Sequence, residues 1–155
     1  MPPNLFVEFR AAKSKDAGII RDVVRSAYAK WIPIIGREPR PMNADYELAV
    51  QEHQIDLMYI GSRMVGLIET ILHDDHLWIE NIAVGPNNQG KGLGRELLAH
   101  AERKAIGAGR AEVRLLTNAA FEANVALYEK TGYLIVEREP FLGGTTVYMS
   151  KKLNR

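Results

Sequence analysis

Hydrophobic and polar positions alternate between two periods along this chain. Leu5, Val7 and Phe9 interleave with Phe6, Glu8 and Arg10, the period of a first strand from Leu5 to Arg10. After Ser14, a residue suited to an N-cap, Ile20, Val23, Val24, Ala27, Tyr28 and Trp31 recur at helical spacing, and Pro33 is expected to end that helix. Ile34 to Met42 holds Gly36, Pro39 and Pro41 and reads as a loop, after which Asn43 is placed to cap a short helix through Gln51. Apolar runs at Ile55–Ile60, Met64–Leu72 and Leu77–Val84 read as strands, joined by turns at Gly61-Ser62-Arg63 and His73–His76. Leu97, Leu98, Ala101 and Ala105 form one face of a helix from Gly94 to Ala105, stopped by Gly107 and Gly109. A strand at Ala111–Leu116, a helix at Phe121–Lys130 with Gly132 beyond it, and strands at Tyr133–Arg138 and Thr145–Leu153 complete the pattern. Strands and helices mix without strict succession. The expected fold is therefore α/β in one domain, a mixed twisted sheet of six or seven strands with about four helices on its two faces.

The segment with the most chemistry joins the strand ending Val84-Gly85-Pro86 to the helix after Gly94. Gly90, Gly92 and Gly94 let a ligand approach the backbone, and the first helical turn presents unpaired N–H groups at the positive end of a dipole. This is an anion site, suited to phosphate. Gly85 with Gly90-Lys91 fits a nucleotide-binding G-x-x-x-x-G-K loop, but Gly92 stands where a hydroxyl must hold magnesium. Gly90-Lys91-Gly92 begins a dinucleotide fingerprint, but Arg95 replaces its third glycine, and Glu112 starts rather than ends the next strand. Gln89-x-x-Gly92-x-Gly94 fits best: it resembles the pyrophosphate loop of the GNAT superfamily of N-acetyltransferases. A second stretch, Asn124-Val125-Ala126-Leu127-Tyr128-Glu129-Lys130-Thr131-Gly132-Tyr133, is similar to another signature of that family, and the two blocks are separated by a helix and a strand as in the family.

The resemblance implies a GNAT fold binding acetyl-coenzyme A and transferring its acetyl group to a primary amine, by direct transfer with both substrates bound. It implies backbone contacts from Ile82, Ala83 and Val84 to the pantetheine arm. It places the pyrophosphate on Gln89, Gly90, Lys91, Gly92, Leu93, Gly94 and Arg95, with Lys91 and Arg95 adding positive charge. The asparagine that many family members place seven residues before the tyrosine is Phe121 here, which leaves Asn118 and Asn124 as candidates for the cofactor contact. Tyr128 matches the family's proton donor to the departing thiolate, although Phe121, Val125 and Tyr128 also read as an apolar helical stripe.

The acceptor amine must lose a proton, and from a pKa near 10.4 that costs roughly 4–5 kcal/mol at pH 7. Glu80 is the candidate base: regular alternation puts it on one face with Trp78 and Ile82, where apolar neighbours would desolvate it. Glu69 is the runner-up. Trp31, Arg37 and Tyr46, in or beside the loop after the first helix, are candidates for the acceptor site, and Arg37 and Arg40 suit a carboxylate. His73-Asp74-Asp75-His76 has metal-ligand residue types, but four consecutive residues in a turn do not converge on one ion, so no metal is expected.

Composition narrows the classes. A net charge of +1 argues against a dedicated nucleic-acid binder. The chain has no cysteine, which excludes a cysteine acyl-enzyme and thiolate metal sites. Met1-Pro2-Pro3-Asn4 lacks a basic-then-apolar leader, and no apolar run approaches the roughly 18 residues of a membrane span, so a cytoplasmic location is expected. The acceptor is a small-molecule or protein amine, and a second copy of the chain in a homodimer is the other partner considered. A non-catalytic module that binds acyl-coenzyme A is the competing class.

Overall fold

The structure is a computed structural model that describes residues 6–153. Its strands are β1 (Glu8–Ala11), β2 (Gln54–Ile60), β3 (Arg63–Leu72), β4 (Leu77–Val84), β5 (Glu112–Asn118), β6 (Leu134–Phe141) and β7 (Gly144–Lys152). Its α-helices are α1 (Ala17–Tyr28), α2 (Ile32–Ile35), α3 (Tyr46–Glu52), α4 (Leu93–Gly107) and α5 (Glu122–Lys130). One mixed sheet runs in the order β1-β2-β3-β4-β5-β7-β6. Among the described residues, only β4 and β5 pair in parallel, and every other pair is antiparallel.

Alternation along β2 and β3 feeds two cores. Leu57 and Leu67 face α1 and α3, with Ile20, Val24 and Tyr46. Met58 and Ile68 face α4, with Leu93, Leu97, Leu98 and Ala101. Covering on both faces explains why these strands read as continuous apolar runs. No helix among the described residues is long and apolar enough to cross a membrane.

Several local expectations are corrected. Leu5 lies outside the described residues, and the first strand starts at Glu8. Ser14 does not cap α1: it begins a short 3₁₀ turn, closed by the Asp16 carboxylate accepting from the Lys13 N–H at 2.8 Å. Pro33 does not end the helical segment. It occupies the first turn of α2, where its missing N–H costs nothing, and Gly36 ends that helix at φ 76°. Asp45, not Asn43, caps α3, accepting from the Leu48 N–H at 3.2 Å.

One departure from regular pattern that bears on the site lies in β4. Glu69 pairs with Asn81 and Thr70 with Ile79, so Glu80 is an extra residue without a partner on β3, a β-bulge. The bulge resets the alternation. Ile79 and Ile82 both pack toward α4, whereas Asn81 and Ala83 turn toward α1. Glu80 therefore does not share a face with Ile82, and it is exposed rather than flanked by apolar side chains. Beyond the bulge β4 also leaves β5. Their pairing stops at Ile79–Leu115, while β5 continues to Asn118 beside β7.

Close contact between β3 and the end of β4 depends on Gly66 on β3. A Cβ there would lie 2.7 Å from the carbonyl oxygen of Ala83, a backbone atom that cannot move independently. Gly66→Ala is expected to destabilise the protein by roughly 1–3 kcal/mol, measured by urea denaturation. Unchanged stability would mean that β4 is free to shift.

Candidate active site

The divergence of β4 from β5 opens two connected cavities. The larger, about 520 Å³, runs from the Gln89–Arg95 loop along Ile82, Ala83 and Val84 to α5. The smaller, about 140 Å³, lies between the loop after α2, the bulge of β4 and the ends of β5 and β6. Tyr28, Ile82, Asn124 and Tyr128 line both.

The floor of the larger cavity is the open edge of β4. The carbonyls of Ile82 and Val84 point into the gap, where they accept from the Tyr28 hydroxyl at 3.2 Å and from Gln89 Nε2 at 3.0 Å. Gln89 thereby ties the glycine loop to the end of the strand. Lys30 Nζ donates to Gln89 Oε1 at 2.8 Å and lies 4.9 Å from the centre of the Trp31 ring. Burial holds the Lys30 amine below its ordinary value. At the loop's far end Gly92 caps α4 with φ 80°, a left-handed conformation that other residues adopt only at a cost. A Cβ at Gly90 or Gly92 would project into open space. The first N–H groups of α4, from Leu93 to Arg95, have no intrahelical acceptor.

The sequence-derived cofactor residues mostly converge here. Ile82, Ala83, Val84, Gln89, Gly90, Gly92, Leu93, Gly94, Arg95 and Asn124 line the larger cavity. Lys91 is exposed and outside its wall. Asn118 lines the smaller cavity, where its Oδ1 accepts from the Ala120 N–H at 2.9 Å. Trp31 is brought to the larger cavity, stacked on Phe121 at 4.5 Å between ring centres, rather than to the acceptor side. Arg37 and Glu80 line the smaller cavity. Tyr46 lines neither: it is fully buried, with its hydroxyl donating to the Pro41 carbonyl at 2.6 Å.

Tyr128 stands at the junction. Its ring packs edge-on against Tyr133 at 6.1 Å, and burial pushes its hydroxyl pKa well above the ordinary range. Among the described residues its hydroxyl has no hydrogen-bond partner, and no buried polar side-chain atom is left unsatisfied; the hydroxyl therefore opens to the cavity. Glu80 is oriented by Trp78, whose Nε1 donates to Glu80 Oε1 at 2.9 Å. Glu69 is buried away from both cavities and 2.6 Å from His53 Nδ1. Burial pushes the Glu69 carboxyl up, the bond from His53 partly offsets this, and the negative charge of Glu80 adds to the rise.

Asn81 organises the bulge, and the sequence alone does not single it out. It is buried, its Oδ1 accepts from the Tyr28 hydroxyl at 2.9 Å, and its Nδ2 donates to the Tyr46 hydroxyl at 3.0 Å. Tyr28, Lys30 and Phe141 are further site residues: periodicity assigns the first two only to a helix face and a helix end, and Phe141 falls between two expected strands.

The family description "Acetyltransferase (GNAT) family" matches residues 20–133, which include every residue lining the larger cavity and all of the smaller one's except Phe141 and Thr146. The chain belongs to the GNAT family. Among solved structures, this GNAT chain is similar to a PaiA N-acetyltransferase from Thermoplasma acidophilum in complex with coenzyme A, at 19% identity and TM-score 0.81, covering 95% of this chain and 99% of the other. It is similar to the ribosomal-protein-S18-alanine N-acetyltransferase from Escherichia coli, at 21% identity and TM-score 0.78, covering 97% and 96%. A GNAT family acetyltransferase from Elizabethkingia anophelis with acetyl-CoA bound matches at 18% identity and TM-score 0.70, covering 95% and 98%. These likenesses establish the shared fold. Curated protein sequences yield no match.

Two stability outcomes follow from the bulge and its anchors. Tyr28→Phe deprives Asn81 and Ile82 of a donor and is expected to cost about 1–3 kcal/mol in chemical denaturation. For Glu69 the sign is set by its raised folded-state pKa. Its stabilising contribution is present below the ordinary carboxylate value of 4.5 and is lost as pH rises through the raised one. The melting temperature of Glu69→Gln relative to the parent protein should therefore increase from pH 4 to pH 7. A constant difference would contradict this.

Proposed function

We propose that this GNAT family member is an N-acetyltransferase that moves an acetyl group from acetyl-coenzyme A to a primary amine, with both substrates bound together. The supporting observation is the meeting of a long cavity floored by the glycine loop and a short cavity holding Glu80, with Tyr128 at their junction. A module that only binds acyl-coenzyme A has no need of the second cavity.

The residues of the larger cavity fit the cofactor. The free N–H groups of α4 and the space beside Gly90 and Gly92 suit a pyrophosphate, and Arg95 and Lys30 add positive charge. The open edge of β4 at Ile82 and Val84 suits an extended amide-bearing arm. When bound, acetyl-coenzyme A supplies an activated acetyl thioester.

The chain's own groups manage the protons. Glu80, fixed by Trp78, accepts a proton from the ammonium in the smaller cavity, offsetting part of the roughly 4–5 kcal/mol that deprotonation costs at pH 7. The amine nitrogen then bonds to the acetyl carbon and the carbon–sulfur bond breaks. Tyr128 donates its hydroxyl proton toward the departing sulfur and regains one through solvent. Burial keeps Tyr128 protonated until that moment. In sum, ammonium and thioester become amide, thiol and one released proton. With no cysteine in the chain, no thiol is present to carry the acetyl group.

Tyr128→Phe retains the ring, so coenzyme A affinity measured by calorimetry should be nearly unchanged while turnover falls by roughly 10²-fold. Glu80→Gln should lower turnover at neutral pH by at least about tenfold while leaving coenzyme A affinity little changed. Initial-rate lines for the two substrates should intersect. Full activity in Tyr128→Phe, or parallel lines, would refute the mechanism.

Gly92→Val strains the φ 80° cap and fills the space beside the free N–H groups. Coenzyme A affinity is expected to fall at least about tenfold, because the strained cap and the lost approach act together. Unchanged affinity would remove the loop from the site.

A further inference from the structure

The smaller cavity has a charge pattern that the transfer chemistry alone does not require. Glu80 is the only acidic residue in its wall, whereas Arg37 and Arg40 both line it. Their guanidinium groups gather at one ring, 5.6 and 4.7 Å from the centre of Phe141. Among the described residues neither forms an ion pair or a side-chain hydrogen bond. Arg25, in contact with the same loop, is fully committed, donating to Glu38 at 2.9 Å and to the Met42 carbonyl at 2.8 Å. Glu38, the acid nearest in sequence to both arginines, is thus already engaged.

Phe141 ends β6 just before an unusual turn. The two residues linking β6 to β7, Leu142 and Gly143, both have positive φ, 46° and 79°. This matches the twist of a tight hairpin but is unfavourable for leucine. This tip directly follows the ring against which the two like charges are held. Stacking on an aromatic face favours such a placement, and mutual repulsion opposes it until an anion is shared between them.

We propose that the acceptor is a small amine that also bears a carboxylate, the carboxylate held by Arg37 and Arg40 and the amine directed to Glu80. This rests on the N-acetyltransferase reading and extends it to a substrate class. A planar carboxylate matches the guanidinium fork, and Glu80 supplies the opposite pole for the ammonium. Diamines, polyamines and lysine-rich chains would set a second cation beside the arginine pair and are disfavoured. The volume of about 140 Å³ suits a molecule of amino-acid size.

The test uses the full chain with acetyl-coenzyme A and matched acceptors on α-amino and ω-amino frames, in which the distal group is carboxylate, carboxamide or ammonium. The carboxylate member should have kcat/KM at least about tenfold above its carboxamide, with the ammonium member lowest. In the double variant Arg37→Ala, Arg40→Ala that ratio should collapse toward one, through KM rather than kcat. Calorimetry of the same acceptors with the coenzyme A-loaded protein gives a readout independent of turnover: the carboxylate member should bind more tightly than its amide, and the double variant should abolish the difference.

A carboxamide or diamine that equals or exceeds the carboxylate in kcat/KM overturns the proposal while leaving amine acetylation intact. A double variant that keeps the full ratio also overturns it. Arginine-dependent carboxylate binding with no acetylation in any frame supports the anion site and defeats the N-acetyltransferase reading. Neither binding preference nor acetylation defeats both.

Discussion

The site depends on one extra residue in β4. Glu80 has no partner on β3, and from that point the strand changes faces and parts from β5. A sheet that stayed zipped between β4 and β5 would have no gap for a ligand and no free strand edge beside the glycine loop. Bulges interrupt a ladder at a cost, so this one needs anchors. Asn81 supplies them by binding the hydroxyls of Tyr28 on α1 and Tyr46 on α3. The fully buried Tyr46 is thus part of the frame that shapes the cavities rather than part of their walls.

The same bulge links the fold to the proposed chemistry. It sends Glu80 into the smaller cavity while Ile82 and Val84 present their carbonyls to the larger one. Glu69, one strand away, is sealed from both and paired with His53, so two carboxylates close in register occupy different environments. Glu80 is open to solvent, as its proposed role requires, whereas Glu69 is buried. Tyr128, which lines both cavities, lies on α5, whose N-cap residue Phe121 stacks on Trp31.

Long periodic segments were legible in the amino-acid pattern because they bury a face: β3, β4, α4 and α5 lie within a few residues of their expected limits. The glycine loop was legible because its chemistry is local. The bulge was not, since Leu77–Val84 reads as one mainly apolar strand with no glycine or proline to mark a break. Pro33 misled because proline in a first helical turn and proline after a last one look alike without the flanking geometry. Tyr28 and Phe141 reach the site only through tertiary packing: one reads as the apolar face of a helix, and the other lies at the end of an edge strand distant in sequence. Trp31 was placed on the acceptor side because nothing local reveals its stacking on Phe121.

On the proposed reading, coenzyme A lies in the gap between β4 and β5. Backbone amide hydrogen exchange with and without coenzyme A tests it most directly. The account predicts added protection at residues 82–84 and 90–95 and at the start of α5, with β1, β2 and the β6–β7 hairpin little changed. Protection confined to other segments, or none at the glycine loop under saturating coenzyme A, would contradict it.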